Sequence, residues 1–181
     1  MKKNRIVLYI ASSLDGRIAR TDGALDWLFA VEGDGDNGYA EFFKTIGTVV
    51  MGRKTYDEVL MLENGEYPYK ETPSYIWTRS KQEATEYVTF TDESLTTLLP
   101  RLQEQSDGDI WLVGGGEIIK AALEADLIDA YTIAIAPVIL GSGIPLFPEG
   151  TKETNVRLDK IEQSGQFAML HYSRPAKEAT S

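Results

Sequence analysis

Strands and helices alternate through most of this 181-residue chain, and two strands close it. That order predicts an α/β fold on a mostly parallel sheet with an antiparallel edge. Two observations carry the prediction. β-Branched and aromatic runs such as RIVLYIAS (5–12), TVVM (48–51) and DIWLV (109–113) are separated by stretches with helical apolar spacing. The last two runs, VRLDKIEQSG and QFAMLHYSR, meet around Ser164–Gly165 with no helix between them, as a hairpin does.

The elements follow in order. After the first strand comes a polar, glycine-containing stretch, 13–38, too long for an idle connection and suited to a lid. Asp36 or Asn37 can cap a short helix carrying Tyr39, Phe42, Phe43 and Ile46. TVVM is a buried strand, and a helix starts at Thr55 and runs to Met61. SYIWT (74–78) and YVTF (87–90) are strands. Leu95, Leu98, Leu99 and Leu102 form the i, i+3, i+4, i+7 stripe of an amphipathic helix. DIWLV leads through Gly114–Gly116 into a helix at 117–125, and AYTIAIAPVIL (130–140) reads as one long strand. The tail after Pro175, residues 176–181, is expected to fray.

Composition narrows the function. The length suggests one domain, 1–175. The net charge of -10 argues against nucleic acid, because phosphate backbones demand a basic face. No window suits a membrane span, and the start breaks at Tyr9, Ser12 and Ser13 before Asp15 rather than forming a signal peptide, so a cytoplasmic location is expected. With no cysteine, disulfides, thiol catalysis and cysteine-held metals are excluded, and no metal site is expected. The single histidine, His171, lies far in sequence from every glycine turn and reads as structural.

Three glycine patterns compete as nucleotide-binding signals. GDGDNG (33–38) fits G-x-G-x-x-G in letters only, because Asp34 and Asp36 would repel a pyrophosphate. GTVVMGRKT (47–55) approaches a P-loop, but Arg53 interrupts G-K-T and the residues between the glycines favour strand over turn. WLVGGGEIIKAAL (111–123) has the right context of strand, glycine turn and helix, against the plain alternative of a tight turn. In a parallel sheet the turns at Gly52 and Gly114–Gly116 open helices at the same edge, and two phosphate-holding turns suit a dinucleotide. Thr78, Arg79, Ser80 and Lys81 follow a third strand and can hold an extra phosphate such as the 2′-phosphate of NADPH.

These motifs together resemble the dihydrofolate reductase superfamily. SLDGRIA (13–19) and LIDAYTIAIAPVILGSGIPLF (127–147) are most similar to the RibD C-terminal branch, the reductase domain of the riboflavin-biosynthesis deaminase/reductase. The resemblance runs from about residue 5 to 173. It implies a central eight-stranded sheet flanked by helices, NADPH as hydride donor, and a homodimer. On it, Ala11 and Ile18 cradle the nicotinamide, with Asp15 and Gly16 shaping the adjoining loop. Gly52, Arg53, Lys54 and Thr55 bind phosphates, and Thr78, Arg79 and Ser80 lie at the adenosine end. Gly114, Gly115, Gly116, Glu117 and Ile118 line the pyrophosphate. A substrate-orienting carboxylate is expected at Asp36 or Glu32, which two ways of counting the motif do not reconcile. Tyr39 and Phe43, four apart, can stack on a flat ring or pack in the core.

There are departures. Glu117 stands where many dihydrofolate reductases carry a cation. A phosphorylated substrate would require cations, and 13–38 offers only Arg17 and Arg20. The reading is therefore an NADPH-dependent reductase of a small heterocycle, of the 5-amino-6-(5-phosphoribosylamino)uracil reductase type. Its alternatives are a dihydrofolate, pterin or promiscuous small-molecule reductase, and a non-catalytic nucleotide-binding module.

Overall fold

A computed structural model describes residues 3–175. An eight-stranded sheet runs through it in the order β5-β4-β3-β6-β1-β7-β10-β9. The strands are β1 (Ile6–Ser13), β3 (Ile46–Gly52), β4 (Ser74–Trp77), β5 (Val88–Thr91), β6 (Asp109–Gly114), β7 (Ala130–Ala136), β9 (Arg157–Ser164) and β10 (Phe167–Ser173). The first six pair in parallel, and β10 runs antiparallel to both β7 and β9. The mostly parallel sheet with an antiparallel edge is thus present. Two short strands, β2 (Arg17–Ala19) and β8 (Ile144–Pro145), form a separate pair.

Helices cover both faces, as a parallel sheet requires. On one side α4 (Leu95–Gln105) and α5 (Gly116–Glu124) seal Leu98, Leu99, Ile118 and Ile119 against Ile6, Leu8 and Leu112. On the other lie α1 (Asp26–Phe29), α2 (Tyr39–Phe43) and α3 (Arg53–Leu62). The leucine stripe expected in 95–102 is the buried face of α4.

Several boundaries differ from the sequence expectation, each for a physical reason. The helix after Gly52 begins at Arg53, two residues before Thr55, because the chain turns helical as soon as the strand ends. The strand 130–140 stops at Ala136, since Pro137 has no N–H to continue the ladder. The stretch 13–38 contains β2 and α1 rather than one open loop. The side-chain acceptor at the start of α2 is Asp36, whose two oxygens take the N–H groups of Gly38 and Ala40 at 2.9 and 2.8 Å. Gly47 lies inside β3, not in a loop, and an added Cβ there would sit 2.2 Å from the Gly108 nitrogen. That close contact of two backbones explains the first glycine of the P-loop near miss. Residues 176–181, where a frayed tail was expected, lie outside the described residues.

Candidate functional site

All six parallel strands end at one edge of the sheet, and the sequence-selected turns meet there. Met51 of β3 is level with Gly114 of β6, after a register shift that leaves Val113 as the extra residue. A Cβ on Gly52 would lie 3.7 Å from the Gly114 carbonyl oxygen, and one on Gly115 would lie 3.3 Å from the Thr55 hydroxyl oxygen. The two turns therefore touch. Gly114 has φ +132, a conformation that L side chains rarely adopt. Neither α3, capped at Gly52, nor α5, capped at Gly115, has a side-chain cap hydrogen bond. The bond from Ile119 N–H to Gly115 C=O starts α5, so the N–H groups of Gly116, Glu117 and Ile118 have no partner within the helix. Two positive helix ends thus open side by side.

The cations around these turns differ in how free they are. Arg53 bonds Asp57, one helical turn on, at 2.9 Å and also reaches Gln82. Its guanidinium lies 5.8 Å from the Phe90 ring centre. These contacts hold Arg53 toward the loop after β4, where Arg79 is exposed with no hydrogen-bond or ion-pair partner among the described residues. An exposed i, i+4 pair is worth about 0.3–0.5 kcal/mol, whereas a hydrogen bond to a charged group contributes about 1.5–3 kcal/mol. A phosphate at the turn would compete with Asp57 for the Arg53 guanidinium. Lys54 is exposed on the first turn of α3, near Glu58. Thr78 uses its hydroxyl to accept the Ser80 N–H at 3.1 Å, which fixes the turn that carries Arg79.

Other expected residues play different parts. The side chain of Ile118 is 1% exposed and belongs to the core, so only its backbone faces the edge. Gly116 is buried, and a Cβ there would come 3.0 Å from the Pro145 carbonyl oxygen, so this glycine admits β8 rather than a ligand. Glu117 is exposed in the first turn of α5, where its charge suits the helix dipole and opposes a bound anion. Asp15 accepts the Ser13 hydroxyl at 2.6 Å and the Leu140 and Gly141 N–H groups at 3.0 and 2.8 Å. Those bonds, that from Ser13 first, hold its pKa down at about 2, and they tie the loop containing Gly16 to the segment after β7. Ala11 packs with the Trp27 cluster, and Ile18 packs on the opposite core cluster.

The two carboxylates proposed to orient substrate separate. Asp36 is engaged at the start of α2, and these backbone bonds, that of Ala40 first, lower its pKa. Glu32 is exposed, and its carbonyl accepts the Gln166 N–H at 2.9 Å. Tyr39 and Phe43 stack on each other at 5.7 Å, and both meet Trp111 edge-on. Their rings are thus engaged in the second core cluster. His171 Nδ1 lies 3.0 Å from the Thr132 hydroxyl and its Nε2 lies 2.9 Å from a Glu162 carboxylate oxygen, on β10 and away from the glycine turns.

Two features carry no motif in the sequence, where Trp27 reads only as core or pocket wall. Trp27 is 5% exposed beside Ala11, Ala134 and Ala136, and its indole N–H has no hydrogen-bond partner among the described residues. Glu58 is half-buried on α3 beneath the 20–24 turn, where a Cβ on Gly23 would lie 2.8 Å from its carboxylate. Burial raises its pKa against the pull of Lys54. No motif marks either residue; the helical spacing of Lys54 and Glu58 was the one available hint. A cleft of about 450 Å³ beside Arg5, Gln103 and Arg174 is no rival site. It lies near the amino ends of the strands, where Gln103 bonds Asn4 and Arg174 bonds Ile128.

The family model for the RibD C-terminal domain matches residues 4–170. The chain belongs to the RibD C-terminal domain family. It is 44% identical to the uncharacterized protein YwjB of Bacillus subtilis (strain 168), over 95% of this chain and 99% of that protein. Identity to the uncharacterized protein YyaP of the same organism is 30%, over 87% and 88%. Among solved structures, a Shewanella sp. PV-4 protein provisionally assigned to riboflavin biosynthesis superposes with a TM-score of 0.85 at 29% identity, covering 95% and 99%. The Thermotoga maritima diaminohydroxyphosphoribosylaminopyrimidine deaminase/5-amino-6-(5-phosphoribosylamino)uracil reductase shares the fold, with a TM-score of 0.70 at 16% identity. That match covers 96% of this chain and 57% of the Thermotoga chain. The dihydrofolate reductase-like architecture is the family's, as the sequence motifs implied.

Proposed function

We propose that this RibD C-terminal domain protein is an NADPH-dependent reductase that transfers hydride to a small heterocyclic substrate. One observation carries the reading: α3 and α5 open without side-chain caps at touching glycine turns on the carboxyl edge, flanked by Arg53 and the unpartnered Arg79. The residues fit the cofactor. The free N–H groups of Arg53, Lys54, Thr55, Glu117 and Ile118 suit a pyrophosphate, and Arg53 with Arg79 suits the 2′-phosphate. The nicotinamide supplies the hydride, and the protein supplies position, electrostatics and exclusion of water. On the family resemblance the nicotinamide would lie by Ala11 of β1 and Ile18 of β2, whose side chains pack on opposite core clusters. The buried Trp27 N–H is a donor for a substrate carbonyl or ring nitrogen.

The first substrate to test is the phosphoribosylaminouracil acted on by the Thermotoga relative. A second reading, reduction of an unphosphorylated ring such as a pterin, has an observation in its favour. Between residues 20 and 38, Arg20 stands against Asp22, Asp26, Glu32, Asp34 and Asp36. Arg20 is itself bound through two nitrogens to Asp26 at 2.7 and 2.9 Å, and Arg17 reaches the Gly143 carbonyl. The net acidity of that stretch opposes a phosphate, while the buried Arg17 Nε, without a hydrogen-bond partner among the described residues, is a donor that would favour it. Following NADPH absorbance with each substrate separates the readings: turnover of the phosphorylated uracil alone supports the first, and turnover of the pterin alone the second. Tight cofactor binding with no turnover of any heterocycle would favour a nucleotide-binding module.

A further inference from the structure

The carboxylate of Glu58 is half-buried, yet it forms no hydrogen bond or ion pair among the described residues. A charge drawn out of water without a partner is costly, and its neighbours do not relieve that cost. Lys54, one turn back on α3, acts on Glu58 only at a distance, and burial outweighs its pull. Asp57, beside it in sequence, carries like charge and is engaged with Arg53. The 20–24 turn that lies over Glu58 closes on itself. Gly23 N–H bonds the Arg20 carbonyl at 3.0 Å, and Ala24 N–H bonds an Asp22 carboxylate oxygen at 3.0 Å. The Arg20 guanidinium is held by Asp26. A Cβ on Gly23 would come 2.8 Å from a Glu58 carboxylate oxygen, so the glycine lets the turn settle onto the carboxylate without donating to it.

Its position ties Glu58 to the site. It stands one helical turn after Thr55 on α3, and residues three apart share a helix face. The Thr55 hydroxyl is where the first turn of α3 meets Gly115. Tyr56 and Val59 pack in the core cluster instead. Across from Glu58, the 20–24 turn joins β2, which carries Ile18, to α1, which carries Trp27. The carboxylates expected from the sequence are not placed this way: Asp36 holds the start of α2, and Glu32 is exposed.

We propose that Glu58 is the carboxylate that binds the substrate ring, which rests on the reductase reading above, and that it selects rings whose edge presents an amino group beside a ring N–H. A carboxylate offers two acceptors in one plane, and such an edge offers two parallel donors. Partial burial strengthens the pair, because water competes less for either partner. The bound ring supplies the partner that the fold withholds from Glu58. A phosphate at the same place would meet the carboxylate as a like charge.

Calorimetric titration of the full chain with 2,4-diaminopyrimidine, with and without NADPH, tests the assignment. The wild type should bind this probe saturably. Glu58→Gln keeps the shape and removes the charge, and should weaken binding by about 10- to 150-fold, the value of a hydrogen bond to a charged group. Glu58→Asp, which keeps the charge, should weaken it less. The NADPH affinity and melting temperature of Glu58→Gln should stay at the wild-type values. A wild type that does not bind the probe overturns the proposal, as does equal affinity in Glu58→Gln or a loss confined to Glu32→Gln or Asp36→Asn. A parallel loss of NADPH affinity in Glu58→Gln would make Glu58 a support of α3 and overturn it too. Failure of the wild type to bind either nicotinamide nucleotide sinks the reductase reading separately, because the probe titration without nucleotide still reports on Glu58.

Discussion

At the scale of single residues, the site is a contest between internal partners and a ligand. Arg53 is held by Asp57, Gln82 and the Phe90 ring, all weak enough for a phosphate to replace. Arg53→Ala should weaken NADPH binding by about 1–3 kcal/mol, a Kd rise of roughly 5- to 150-fold, read by titration. Glu117→Lys removes the one acid of the α5 first turn and should tighten NADPH more than NADH in the same titration. Trp27→Phe deletes a buried donor that has no internal partner. Its expected signature is a raised KM for the heterocycle with NADPH affinity unchanged; a lowered melting temperature with unchanged kinetics would return Trp27 to the core alone. Asp15 titrates with a definite sign. Its folded pKa, about 2, is below the ordinary 3.8, so its stabilisation is present above pH 3.8 and is lost as pH falls through 2. Asp15→Asn should therefore lower the melting temperature at neutral pH and progressively less as pH falls toward 2.

At the scale of elements, glycines set how closely strands, turns and helices approach. Gly114 carries the turn between β6 and α5 at a positive φ, and Gly116 lets Pro145 and Pro148 lie against the start of α5. Gly114→Ala should cost about 1–3 kcal/mol of stability by backbone strain. Gly116→Ala should cost a similar amount, about 1–3 kcal/mol, by overpacking against β8. Denaturant unfolding measures both. The elements themselves were largely legible in the sequence: continuous β-branched and aromatic runs placed β1, β3 and β6, which bury both faces, and the period-3.6 pattern placed α4 and α5, which bury one. What escaped was short or set by distant contacts. β2 and β8 are three- and two-residue strands that exist only against each other. Asp15, Tyr39 and Phe43 looked available because sequence does not show Leu140, Gly141 or Trp111 folding back onto them.

At the scale of the molecule, an acidic chain of net charge -10 gathers cations at one edge of its sheet, which would suit the proposed anionic cofactor. The topology achieves this by running six strands in one direction, so that motifs tens of residues apart converge at their carboxyl ends. That convergence was readable from GRKT, TRS and GGGE, because each follows a strand. The substrate side was not, since it is assembled from a long connection whose charges signal repulsion of phosphate rather than any one ligand. The most direct test of the central claim is a titration of the purified protein with NADPH and with NADH, followed by tryptophan fluorescence. The account predicts saturable NADPH binding, with NADH weaker by the loss of the contacts that Arg53 and Arg79 make to the 2′-phosphate. Binding of neither nucleotide would contradict it, and would leave a reductase fold whose paired helix ends hold something else.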